Sequence, residues 1–175
     1  MYYADIKQYD VANGAGIRVS LFVSGCTHHC KNCFNKEAWD FHYGKEFTQE
    51  TIDCILSYLK PSYVAGFSLL GGEPFEPVNQ EALLPLLRQI KKEYPDKNIW
   101  CWTGYLFDRD ILEIMYPKYP QTKEFLSYLD VLVDGKFIEE LKNANLIFRG
   151  SANQRVILVP DSLQKGELVF WQPSE

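Results

Sequence analysis

Three cysteines fall within eight residues, Cys26-Thr27-His28-His29-Cys30-Lys31-Asn32-Cys33, so one loop must bring three thiols together. The run before it, Ile17-Arg18-Val19-Ser20-Leu21-Phe22-Val23-Ser24, alternates and branches like a buried strand, and Gly25 ends it. The thiols therefore sit on the loop that leaves the C-terminal end of a strand, which is where parallel α/β proteins build their sites. Thiolates are soft ligands, suited to zinc or to iron–sulfur clusters. A closed structural site takes four protein ligands, whereas three leave one coordination position for substrate.

Five cysteines in all is an odd number, and Met1-Tyr2-Tyr3-Ala4-Asp5 lacks the basic and apolar regions of a secretory leader. A disulfide framework fits badly with both observations, and reduced thiols in the cytoplasm are expected instead. Two metal readings stay open. One is a zinc site completed by His28, His29 or His42. The other is a [4Fe–4S] cluster with one open iron, for which C-x3-C-x2-C after a first strand is a specific pattern. Cys54, beside an apolar helical stripe, reads as a small packed side chain. A net charge of −5 and no Lys/Arg cluster beyond pairs such as Lys91-Lys92 argue against nucleic acid as a partner. No apolar run approaches the roughly 20 residues of a membrane span.

Along the chain, residues 1–16 read as a turn-rich lead ending in Asn13-Gly14-Ala15-Gly16. Thr48–Lys60 reads as a helix capped by Thr48, with Ile52, Ile55, Leu56 and Leu59 on one face. A strand at Val64–Leu70 is followed by a helix with Pro85 in its first turn, stopped by Pro95. Further strands are expected at Asn98–Thr103, Asp130–Val133 and Arg155–Val159, with helical patterns at 108–115, 122–129 and 138–141. Alternating strands and helices predict an α/β fold. Five or six strands cannot close an eight-stranded barrel. The expectation is an open partial (β/α) barrel with a mainly parallel five- to six-stranded sheet and helices outside. Residues 1–175 form one domain, with 160–175 as a tail or an edge strand near Leu168–Trp171.

Each strand ends in something polar or glycine-rich: the cysteines, Gly71-Gly72-Glu73, Thr103-Gly104 and Asp134-Gly135-Lys136. Four such ends on one rim line one pocket. C-x3-C-x2-C with Gly-Gly-Glu resembles the radical S-adenosylmethionine superfamily. Narrower matches are Asn13-Gly14-x-Gly16-x-Arg18, Leu21-Phe22-Val23-Ser24-Gly25-Cys26 and Ser68-Leu69-Leu70-Gly71-Gly72-Glu73-Pro74. Trp100-x-Trp102-Thr103-Gly104-Tyr105, Val131-Leu132-Val133-Asp134-Gly135-Lys136-Phe137 and Arg149-Gly150-Ser151-x-Asn153-Gln154 complete the set. In order, these segments are similar to the activating components of anaerobic (class III) ribonucleotide reductases.

The resemblance implies that Cys26, Cys30 and Cys33 hold a [4Fe–4S] cluster whose open iron takes S-adenosyl-L-methionine. Reductive cleavage would then give a 5′-deoxyadenosyl radical, which removes hydrogen from a glycine of the large catalytic subunit of the reductase. A reductant such as flavodoxin or ferredoxin is implied as a further partner. Gly71 and Gly72 would present backbone to the methionyl amine, with Glu73 assisting or supporting the turn. Thr103, Asp134 and Lys136 would meet the ribose or carboxylate. Superfamily members often carry an aromatic residue directly before the third cysteine. This chain has Asn32 there and Phe34 after it, so the Asn32 backbone and the Phe34 ring are the expected neighbours of the adenine. Leu70 departs from the small residue expected before Gly71. An aromatic rim of Phe34, Phe75 and Tyr105 is expected to dock the partner. Competing readings are an activase for another glycyl radical enzyme, such as pyruvate formate-lyase, and a zinc-binding structural or adaptor module.

Overall fold

The computed structural model describes residues 1–173. Its strands are β1 (Tyr2–Asp10), β2 (Ile17–Val23), β3 (Lys45–Glu46), β4 (Val64–Gly71), β5 (Asn98–Trp102), β6 (Val131–Asp134) and β7 (Arg155–Leu158). They form one sheet in the order β3-β1-β2-β4-β5-β6-β7. The four central strands are parallel, with Val19 opposite Phe67, Leu69 opposite Cys101 and Trp100 opposite Val131. Their C-terminal ends, Val23, Gly71, Trp102 and Asp134, therefore share one rim. Helices α1 (Gln49–Leu59), α2 (Pro77–Glu93), α3 (Tyr116–Lys118), α4 (Pro120–Ser127) and α5 (Val159–Lys165) connect and follow the strands.

The main core lies between sheet and helices. Val19, Leu21, Val23, Phe67 and Leu69 meet Ile55 and Leu59 of α1, Leu83, Leu86 and Ile90 of α2, and Phe125 of α4, all fully buried. On the same strands Arg18 and Ser20 are also fully buried, so β2 is covered on both faces, as parallel strands are. The Arg18 guanidinium is satisfied by Ser68, Asn98 and the carbonyls of Ala15 and Phe67, and it lies over Trp100 at 5.4 Å. A second cluster of Trp100, Val131, Val133 and Val156 packs with Trp102, Phe148 and Trp171.

Four expectations need correction. Residues 2–10 are a strand rather than a lead, paired antiparallel with β2 and β3. The sheet accordingly has seven strands, not five or six. β7 runs antiparallel to β6, because residues 135–154 hold only the 3-10 turn Glu139–Leu141 and no crossover helix. Helix α2 starts at Pro77, and Pro85 lies inside it on the solvent side. The segment near Leu168–Trp171 makes a short β contact, with Leu158 N–H donating to Val169 O at 2.8 Å and Trp171 N–H to Val156 O at 2.9 Å. Residues 174–175 of that expected tail lie outside the described residues.

Candidate metal centre and cofactor cavity

Gly25, with φ of +95°, turns the chain out of β2, and the loop then runs back along residues 38 and 39. Gly25 N–H donates to Ala38 O at 2.8 Å and Cys26 N–H to Trp39 O at 3.3 Å. Thr27 gives both its N–H (2.9 Å) and its hydroxyl (2.6 Å) to Glu76. His29 and Asn32 hold left-handed φ of 50° and 56°, a conformation that side-chain-bearing residues keep only where surroundings enforce it. Cys26 is buried, and Cys30 and Cys33 are half-buried.

The Cys33 sulfur accepts from Asn35 N–H at 3.5 Å, and the backbone N–H groups of His28 and His29 pull the Cys26 thiol toward thiolate as that of Phe137 does for Cys30. Burial pushes the Cys26 thiol up to about 12, against the pull of the His28 N–H, and raises Cys30 for the same reason. A cationic centre reverses that direction, since a coordinating thiol is deprotonated. Among the described residues no three His, Cys, Asp or Glu side chains stand close enough to share a single metal ion. A four-iron cluster asks for a wider arrangement, because each thiolate binds its own iron. N–H groups aimed at the sulfurs are what tune such a cluster.

The histidines are engaged elsewhere. His28 Nε2 meets Glu73 at 2.8 Å, His29 stacks on Trp39 with ring centres 4.5 Å apart, and exposed His42 packs edge-on to Tyr2.

The Gly-Gly-Glu turn joins the end of β4 to this loop. A Cβ on Gly71, at φ of +110°, would come within 2.6 Å of Val23 N, and one on Gly72 within 2.7 Å of Gly25 O. Glycine is required at both places by close backbone approach. Glu73 is fully buried. It accepts from Phe75 N–H, the Thr103 hydroxyl and Gly104 N–H, each at 2.8 Å, in addition to meeting His28. Asp134, also fully buried, accepts from Phe107 N–H at 2.8 Å and from Arg155 Nε at 2.9 Å. Lys136 is exposed, and its ammonium acts on Cys30.

A cavity of about 860 Å³ is lined by Cys33, Phe34, Leu70 and Gly71 together with Trp102 and Arg149. Of the sequence-predicted site, Cys33, Phe34 and Gly71 line it. Cys26, Cys30, Asn32, Gly72, Glu73, Thr103, Asp134 and Lys136 do not line it. Leu70, the departure noted before Gly71, forms part of its wall. Lys7, Asn13 and Arg149 line it too and were not assigned a role from sequence. Asn13 and Arg149 do belong to quoted motifs, which is the signal that could have found them; Lys7 lay on the unrecognised β1. Phe75 does not belong to the rim: it is fully buried against Phe125, ring centres 5.0 Å apart. Tyr105 is half-buried against His28, and Phe34 is 78% exposed.

A family model described as a 4Fe-4S single cluster domain matches residues 12–157. The chain is 45% identical over 156 residues to the anaerobic ribonucleoside-triphosphate reductase-activating protein of Haemophilus influenzae, covering 88% of this chain and 96% of that protein. The protein of that name from Enterobacteria phage T4 is 40% identical over 165 residues, 94% of this chain and 99% of its own. The one from Escherichia coli K12 is 40% identical over 158 residues, 89% and 97%. Matched over nearly their whole length, these relatives settle the assignment: the chain belongs to the family of anaerobic ribonucleoside-triphosphate reductase-activating proteins.

Proposed function

We propose that this chain is the iron–sulfur activase that generates the glycyl radical on the large subunit of an anaerobic ribonucleoside-triphosphate reductase, with S-adenosylmethionine as cofactor. The observation that carries the reading is that Cys33 shares a cavity of about 860 Å³ with Phe34 and Gly71 at the C-terminal rim of the parallel strands. When bound, the reduced cluster supplies a low-potential electron and S-adenosylmethionine carries the difficult chemistry.

The protein's part is holding and orienting. Cys26, Cys30 and Cys33 are the ligands, and the N–H groups facing them favour thiolate. Gly71 and Gly72 offer backbone to the methionyl amine, while the Asn32 backbone and the Phe34 ring flank the adenine. Lys136 serves the carboxylate or ribose side. Thr103 and Asp134 serve it as parts of the rim, since Glu73 and Arg155 already engage their side chains. Glu73 supports the turn. The same reading takes residues 1–175 as one domain in the cytoplasm, reduced by a flavodoxin or ferredoxin. It takes the sheet as a partial barrel, in keeping with a cavity walled by β1, β2, β4 and β5 together.

Anaerobic reconstitution with iron and sulfide, followed by S-adenosylmethionine, reductant and the reductase, tests this. A brown protein, release of 5′-deoxyadenosine and a glycyl radical signal on the reductase are expected. Cys26→Ala, Cys30→Ala and Cys33→Ala each lose cluster iron, whereas Cys54→Ala and Cys101→Ala keep it. Full iron in Cys30→Ala, or a radical formed only on a different glycyl radical enzyme, would sink the proposal.

A further inference from the structure

The two halves of the cysteine loop are held very differently. Its second half touches the rest of the chain through exposed contacts: Lys31 pairs with Glu140 at 3.1 Å, both largely solvated, and the Phe34 and Phe137 rings lie 5.7 Å apart. Its first half is clamped from beneath. The His28 side chain is 6% exposed and Glu73 not at all, with 2.8 Å between Nε2 and the carboxylate. Glycine at position 104 makes room for the imidazole, because a Cβ there would come within 2.5 Å of the ring. Tyr105 packs edge-on against the imidazole, ring centres 4.4 Å apart.

Glu73 as a carboxylate is an acceptor only, and its other three partners are an O–H and two N–H donors. His28 therefore completes the set as a donor through Nε2–H, which leaves no lone pair of that nitrogen for a metal. A buried carboxylate stripped of one donor bears the desolvation cost of an unmatched acceptor. The neighbouring left-handed turn at His29 needs support from whatever holds the loop. His28 lies midway between Cys26 and Cys30, so what fixes His28 fixes two ligands.

We propose that His28 is a positioning residue for the metal centre, locked by Glu73 so that Cys26 and Cys30 are held in place before any metal arrives. The glutamate of the Gly-Gly-Glu turn then acts on the cysteine loop through His28, beyond supporting its own turn. The proposal rests on the cluster reading above.

The test compares full-length His28→Gln, His28→Leu and wild type. A glutamine amide can donate from about the place of Nε2, and leucine cannot. Two rates are measured: iron loss from the reconstituted protein to a chelator, and alkylation of Cys26 in the metal-free chain, followed by peptide mass spectrometry. Fully buried Cys101 serves as an internal reference. In His28→Leu both rates rise by about tenfold or more, the range typical of hydrogen bonds that support metal ligands. Cys101 alkylation stays unchanged, and His28→Gln stays near wild type.

Unchanged rates in His28→Leu overturn the proposal, as does a His28→Gln protein as fast as His28→Leu. So does Cys101 accelerating in step with Cys26, which would mean general destabilisation. If His28→Leu does not fold by circular dichroism, His28→Asn, whose amide stops short of Glu73, takes its place with the same expectations. A wild type that takes up no iron and sulfide sinks the cluster reading, and the alkylation pattern still decides the pair.

Discussion

Arg155 holds two carboxylates at once, Asp134 through Nε at 2.9 Å and Asp108 through Nη2 at 2.7 Å. The guanidinium holds the Asp108 carboxyl below the usual carboxylate range. A depressed folded pKa contributes stability that is fully present above the unfolded value of about 4 and is lost as pH falls through the folded one. The Asp108 side chain is 41% exposed, so solvent screening keeps that contribution to about 1 kcal/mol or less. Urea midpoints of wild type and Asp108→Asn should differ slightly at pH 7 and converge as the pH falls through the depressed folded value. Asp134 is different, being fully buried. Arg155→Met leaves its charge uncompensated and should lower unfolding free energy by about 3–5 kcal/mol in urea titration. At this scale the sequence was legible where spacing alone decides, as for the single loop after β2 that carries Cys26, Cys30 and Cys33. It was not legible for Asp134, whose partner Arg155 is brought beside it only by the antiparallel pairing of β6 and β7.

Helix α2 carries Pro85 in its interior, where no N–H is available for the preceding turn. The ring faces solvent and fills no core position. Pro85→Ala should therefore raise the thermal midpoint by about 2–4 °C, the shift expected for each kcal/mol in a chain of this size. An unchanged or lower midpoint in a thermal scan would show that the ring supports the helix. Sequence periodicity found α1 and the central strands because their apolar residues recur on buried faces. It missed β1, where Asp5, Lys7 and Gln8 dilute the apolar signal and the strand's burial alternates between partial and exposed. Helix α2 was started too late because either Pro77 or Pro85 satisfies a first-turn proline. The π-helix Phe107–Met115 was read as an ordinary helical pattern, since one extra residue per turn barely disturbs so short an apolar stripe.

Across the whole molecule, two phenylalanines expected to share one surface part company. Phe75 lies at 0% exposure in the main core and Phe34 at 78% beside the cavity. Phe75→Ala should lower unfolding free energy by about 3–5 kcal/mol, the cost of emptying an aromatic core site. Phe34→Ala should stay within about 0.5 kcal/mol of wild type and show its effect in glycyl radical yield. Chemical denaturation of both, with radical spectroscopy on the second, checks the pair. A normally stable Phe75→Ala would return that residue to the surface. Sequence could not separate them, because both follow a turn at the same rim and only the docking of α2 and α4 decides which is enclosed. That rim also carries the joint in which Gly71 and Gly72 lie against Val23 and Gly25, main chain upon main chain. Such a joint has no rotamers and therefore no side-chain entropy to lose or regain on warming. The spacing between the start of the cysteine loop at Gly25 and the glycine turn that follows β4 is thus set by main chain alone, and it holds until strands β2 and β4 themselves separate.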